Sequence, residues 1–144
     1  MSSMQLPARI ENMELLVQFI SSNAGKLGFS GKRIKEIELA AEEALVNIIN
    51  YAYPDRQGDV KVTCMQHPSK TFVIEIEDTG IAFDMLSLKD PDISAGIYDR
   101  EIGGLGVFLI RKLMDEVHYH RKNGKNILNL IVHIPQANKK IYNR

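Results

Sequence analysis

Apolar residues Leu15, Leu16, Phe19 and Ile20 recur at helical spacing from Glu11 onward, and Gly25 and Gly28 punctuate the end of the segment. Ser30 reads as the N-cap of a second, longer helix through Ile34, Ile37, Ala41, Ala44, Leu45, Ile48 and Ile49, which breaks at Tyr53-Pro54-Asp55. The period then changes to two. Val60 to Gln66 and Thr71 to Glu77 alternate as strands, and His67-Pro68-Ser69-Lys70 between them predicts an antiparallel hairpin. A third helix is expected from about Leu105 to Met114, followed by strands near Val117 to Arg121 and Ile127 to Ile134 that turn at Asn123-Gly124-Lys125. At the start of the chain, Leu6-Pro7-Ala8-Arg9-Ile10 reads as a short edge strand, since Pro7 cannot donate to a ladder.

Clustered hairpins rather than alternating βαβ units predict an α+β fold: a two-layer α/β sandwich whose mixed, largely antiparallel sheet carries its helices on one face. Residues 1–135 form one domain in this reading, and residues 136–144 a loose C-terminal tail. Residues 79–103 carry Gly, Pro and Asp in quantity with little periodicity. That is long for a connection inside a small domain and suggests a functional lid.

With 144 residues the chain can bury one substantial core without disulfides. Lys plus Arg and Asp plus Glu number 18 each, so no overall field draws it to nucleic acid or to an anionic membrane. Met1-Ser2-Ser3-Met4-Gln5 has neither a basic start nor a long apolar centre, so a cytoplasmic location is expected. The single cysteine, Cys64, shares the phase of Val60 and Val62 and reads as a small buried hydrophobe rather than a reactive thiol. His118 and His120 share a strand face without a third ligand at suggestive spacing and read as surface residues.

Three groups of residues could carry chemistry. On the second helix Glu43, Asn47 and Asn50 stand at i, i+4 and i+7, so a carboxylate and two amides line one stripe among mostly apolar neighbours. The stripe is either the wall of a half-buried cleft or the exposed side of a core-packed helix. In Phe72-Val73-Ile74-Glu75-Ile76-Glu77-Asp78 the last residue shares its side with Phe72, Ile74 and Ile76, so Asp78 points with the core. It either caps its own turn at Thr79-Gly80 or accepts from an amino group on a bound base. Gly103-Gly104-Leu105-Gly106 runs straight into Val107-Phe108-Leu109-Ile110. Such a cluster lets the backbone close around a phosphate at a helix N-terminus, though an ordinary loop entering a helix can look the same.

The order Glu-x-x-x-Asn on a helix, Asp-x-Gly after a strand and Gly-Gly-Leu-Gly opening a helix resembles the Bergerat ATP-binding fold of the GHKL superfamily, over about residues 30–134. That superfamily includes gyrase, MutL and sensor histidine kinases. No glycine-rich segment ends in Lys and Ser or Thr to support a P-loop instead. Within the superfamily, Glu42-Glu43-Ala44-Leu45-Val46-Asn47, Asp78-Thr79-Gly80-Ile81-Ala82-Phe83-Asp84, Gly103 to Ile110 and Leu113 to Val117 are similar to bacterial anti-sigma-factor serine/threonine kinases.

The resemblance implies ATP and Mg²⁺ as cofactors. Asn47 would coordinate the metal, and Asp78 would accept from the adenine amino group with Gly80 passing near the base. Gly104, Leu105 and Gly106 would cradle phosphate, with Asn50 near Asn47 or the phosphates. Glu43 would act as the base toward a target hydroxyl, and Arg100 would meet γ-phosphate charge. Ala82 stands where histidine kinases often have Gly, and Asn129 stands where many relatives put an adenine-facing Thr. The implied partners are a sigma factor and a STAS-domain anti-sigma-factor antagonist phosphorylated on Ser or Thr, with homodimerisation expected from the family. A non-catalytic regulatory module clamped by ATP is the alternative.

Overall fold

Strands form where the sequence alternates, and the alternation decides which face of the sheet is covered. The structure, a computed structural model, describes residues 1–87 and 104–136. In β2 (Asp59–His67) Val60, Val62 and Cys64 are buried while Lys61, Thr63 and Met65 remain partly exposed. The turn at Lys70 (φ 62°) reverses the chain into β3 (Thr71–Asp78), whose Phe72, Ile74, Ile76 and Asp78 are buried. In β5 (Lys125–His133) the matching inward set is Asn126, Leu128, Leu130 and Val132, each directly opposite a β3 partner. With β1 (Ser2–Pro7) and β4 (Glu116–Lys122) these make a five-stranded sheet in the order β1-β2-β3-β5-β4, and every pairing among the described residues is antiparallel. Asn123 (φ 53°) and Gly124 (φ 77°) form the two-residue β4–β5 turn, the left-handed pair that matches strand twist.

Three helices cover one face of this sheet. Residues Leu16 and Ile20 of α1 (Met13–Gly25), Ile37 and Leu45 of α2 (Gly31–Tyr51) and Val107 and Ile110 of α3 (Gly104–Leu113) join the inward strand residues in one core. The α+β two-layer reading therefore holds. In α2, Ala40, Ala41 and Ala44 are wholly buried, and so small a surface lets the helix axis approach its neighbours closely. Ser30 caps α2 as expected, its Oγ accepting from the Arg33 N–H at 3.1 Å. Among the described residues no helix is long and apolar enough to cross a membrane.

Arg33 sets how α2 and α3 lie together. Its guanidinium donates to the Leu113 carbonyl, which closes α3, and reaches Asp115 Oδ2 at 3.3 Å and Glu36 Oε1 at 3.0 Å. A cation on the last carbonyls satisfies orphan acceptors and matches the negative end of the helix dipole. The start of α2 is thus pinned beside the end of α3, so the start of α3 falls beside the middle of α2.

The main departure from the sequence reading is at the N-terminus. The first strand runs over Ser2–Pro7 rather than from Leu6 to Ile10, with Met4 and Leu6 packed on the core. The Arg9 N–H and the Asn12 side chain both donate to the Pro7 carbonyl, which bends the chain into a 3-10 turn at Ile10–Asn12. Pro7 does lie on an edge strand. The lid expected up to residue 103 is described only as far as residue 87, and Arg100, Gly103 and the tail beyond residue 136 lie outside the described residues.

Cys64 is 3 % exposed, and burial pushes its thiol up to about 12. The protonated thiol is a poor nucleophile. At pH 8 the native protein should react with a disulfide reagent only at the rate of unfolding, and immediate stoichiometric labelling without denaturant would contradict this packing.

Candidate functional site

The helical stripe and the strand end meet at one cleft. Asn47 on α2 is 5 % exposed, and Asp78 at the end of β3 is 4 % exposed. Both line a narrow cleft that is partly open to solvent. The rest of the lining is mostly apolar: Ile48 of α2 and Ala52 just after it, Ile76 and Leu128 of the sheet, and Phe83 and Met85 beyond β3. Phe83 also lies against Tyr51, ring centroids 6.4 Å apart. Among the described residues no group hydrogen-bonds the Asn47 amide, while the fully buried side-chain atom left without a partner is Asn129 Oδ1.

Asp78 is partly satisfied. Its Oδ1 accepts from the Gly80 N–H at 2.8 Å and from Asn126 Nδ2 at 2.9 Å. The two readings of Asp78 are therefore compatible, because it caps its own turn with Oδ1 while Oδ2 has no donor among the described residues. Asn126 sits directly across the ladder from Asp78. Its Oδ1 accepts from Tyr119 Oη at 2.6 Å and Arg121 Nη1 at 3.1 Å, while its Nδ2 also donates to the Ile81 carbonyl at 2.7 Å. Burial raises the Tyr119 pKa, outweighing the opposing pull of Arg121, so the hydroxyl keeps the proton it donates.

Two glycines are explained by what surrounds them. A Cβ on Gly80 would lie 2.2 Å from the Ala52 carbonyl oxygen, where the turn after β3 passes the end of α2. The Ile81 N–H donates to that same carbonyl at 2.9 Å. A Cβ on Gly106 would lie 2.6 Å from Glu43 Oε2, so the Glu43 carboxylate rests against the first turn of α3. This brings the glycine motif to the helix that carries Asn47. Gly104 and Leu105 open α3 in the backbone.

The remaining expected residues divide. Glu43 is half-buried, whereas Asn50 is exposed and lies outside the cavity lining. Asn129 corrects the sequence reading: it pairs with Glu75 and His118 and lies in a groove with Met65, His67 and Thr71 on the uncovered face of the sheet. Three residues along a strand from Asn126 is an odd number, which turns the side chain to the opposite face. Asn129 therefore does not meet Asp78, and the amide on the Asp78 face is Asn126. Its phase was readable from Leu128 and Leu130, but its pairing with Asp78 depended on the β3–β5 register, which joins strands distant in sequence. Ala82 has no positive φ, so the missing glycine there removes no needed freedom. His118 and His120 are exposed, and His118 Nε2 lies 3.2 Å from Glu116 Oε1.

An amide oxygen free of hydrogen bonds at the cleft suits a hard divalent cation, an unengaged carboxylate oxygen in an apolar slot suits an amino group on a flat base, and a second carboxylate beside a helix start suits a hydroxyl near phosphate. The donor set thus fits a magnesium-bound purine nucleotide.

A family model described as the histidine kinase-like ATPase domain matches residues 6–132. The chain is 30% identical over 131 residues to a serine-protein kinase RsbW of Listeria monocytogenes, covering 88% of this chain and 83% of that protein. It is 27% identical over 129 residues to a serine-protein kinase RsbW of Bacillus thuringiensis, covering 87% and 80%. Among solved structures, the histidine kinase domain of the Erythrobacter litoralis blue-light activated histidine kinase superposes with a TM-score of 0.55 at 19% identity. That match covers 85% of this chain and 61% of the solved one, so the chain spans less than two thirds of that structure, and the likeness is one of fold.

The glycines should respond differently to alanine. Gly80→Ala meets rigid backbone and should lower stability by about 1–3 kcal/mol. Gly106→Ala meets only the mobile end of Glu43 and gains up to about 1 kcal/mol of helix propensity, so its melting temperature should hold or rise. Thermal unfolding followed by circular dichroism separates the two, and equal losses would contradict the geometry.

Proposed function

The chain belongs to the histidine kinase-like ATPase domain family, and from that premise we propose that it is an anti-sigma factor and a serine/threonine-protein kinase. It binds Mg-ATP, phosphorylates a STAS-domain anti-sigma-factor antagonist on Ser or Thr, and so regulates transcription by partner switching. The observation that supports this reading best is that Asn47 and Asp78 line one cavity while Glu43 lies against Gly106.

Each residue has a task that its surroundings allow. Asp78 accepts the amino group of adenine on Oδ2, and the apolar walls from Ile48, Ile76 and Leu128 cover the faces of the ring and exclude water. Asn47 is the protein ligand for Mg²⁺, which when bound neutralises phosphate charge. Backbone N–H groups at Gly104, Leu105 and Gly106, which have no partner within the helix at the start of α3, receive phosphate oxygens. Arg100 adds positive charge near the γ-phosphate in this reading. Glu43 orients the antagonist's hydroxyl and takes its proton as the oxygen bonds to the γ-phosphorus and the bond to ADP breaks. Glu43 therefore serves transfer and not nucleotide binding.

That division is testable. Glu43→Gln keeps the shape against Gly106 and should bind Mg-ATP within about threefold of the parent, while phosphoryl transfer to a STAS-domain protein falls by roughly 10²–10⁴. Radiolabelled ATP and calorimetry measure the two quantities. Undiminished transfer would remove Glu43 as the base, and a parent protein that binds ATP but labels no STAS protein would favour the non-catalytic clamp.

A further inference from the structure

Asn126 makes five directed hydrogen bonds among the described residues, and they leave its amide one orientation. Its Oδ1 receives Tyr119 Oη at 2.6 Å, Arg121 Nη1 at 3.1 Å and the Phe83 N–H at 3.3 Å. Turning the amide over would set its NH₂ group against three donors. Both Nδ2 protons are consequently committed, one to the Ile81 carbonyl at 2.7 Å and one to Asp78 Oδ1 at 2.9 Å. Arg121 Nη1 also donates to the Gly80 carbonyl at 3.0 Å, so one cation braces both the amide and the turn that carries the second donor to Asp78.

We infer that Asn126, locked by Tyr119 and Arg121, is a positioning residue that makes Asp78 select 6-aminopurine over 6-oxopurine nucleotides. This rests on the nucleotide reading proposed above. With two donors on Oδ1, the Asp78 carboxylate cannot rotate without losing both, and Oδ2 is left as a fixed acceptor in an apolar slot. An exocyclic amino group satisfies that oxygen. A 6-oxo group presents lone pairs to it, and a buried acceptor facing an acceptor is rejected more strongly than a lost apolar contact.

Removing the Asn126 amide takes one donor from the anion. With only the Gly80 N–H left on Oδ1, the carboxylate is free to turn, so Oδ2 no longer faces the 6-substituent as a fixed acceptor. The predicted signature is therefore a change of selectivity rather than a general loss of binding. Tyr119 acts at one remove, by keeping the amide from turning.

Calorimetric titration with Mg-ATP and Mg-GTP, on the full chain and on Asn126→Ala and Tyr119→Phe, tests this, with melting temperatures measured alongside. For Asn126→Ala, ATP affinity should fall about tenfold with GTP affinity nearly unchanged, narrowing the ATP:GTP ratio by the same factor. Tyr119→Phe retains the ring in the core and two donors on Asn126 Oδ1, and should narrow the ratio roughly threefold with a small change in melting temperature. If both variants lose ATP and GTP binding in equal proportion, or keep the parent's ratio, Asn126 is structural only and the inference is overturned while the nucleotide reading stands. If the parent binds no Mg-ATP, both are overturned together.

Discussion

Asp78 ends a strand whose other inward side chains are Phe72, Ile74 and Ile76, so its carboxylate enters the cleft on the apolar face of the sheet. A carboxylate in that position needs donors, and among the described residues they reach one oxygen only, from Gly80 and Asn126. Much of the surrounding structure follows from meeting that need. The turn after β3 must come back sharply enough for the Gly80 N–H to reach Oδ1, which brings it against the last turn of α2 and admits no Cβ. The β3–β5 register must hold Asn126 opposite Asp78, and a slip of one residue would send the amide to the other face.

The second requirement is that the cleft be assembled from distant segments. Asn47 and Glu43 come from α2, Asp78 from β3 and Gly106 from α3, and no local sequence contact holds them together. Arg33 does so at a distance by fastening the start of α2 to the end of α3, with Asp115 Oδ2 also accepting from the His133 N–H at 2.7 Å. The far end of that helix pair is then where the Glu43 carboxylate meets the first turn of α3. Rigid helices with a fixed contact at one end transmit placement to the other.

The sequence was most legible where a period was sustained and a boundary had its own chemistry. Ser30 and the alternation around Val62 and Ile74 predicted α2 and the β2–β3 hairpin nearly to the residue. The phase of Asp78 was legible for the same reason. β1 was less so, because Met4 and Leu6 are only partly buried at an edge and the strand's end is set by tertiary bonds to the Pro7 carbonyl. Asn129 was assigned by analogy of position, without the strand register that distinguishes it from Asn126. The support given by Tyr119 and Arg121 could not be read from spacing, since it depends on β4 lying beside β5. Asn50 shares the helical stripe of Asn47 but is exposed, because a stripe on a helix remains at the cleft for only a turn or so before it clears the edge.

The central claim is that Asn47, Asp78 and the start of α3 converge on one magnesium nucleotide with Glu43 beside its terminal phosphate. A crystal structure of the protein with Mg²⁺ and a non-hydrolysable ATP analogue tests it most directly. The account predicts the adenine amino group within hydrogen-bond distance of Asp78 Oδ2, the metal on Asn47 Oδ1, and phosphate oxygens on the N–H groups of residues 104–106. A nucleotide bound on the uncovered face of the sheet, or a metal held without Asn47, would contradict it.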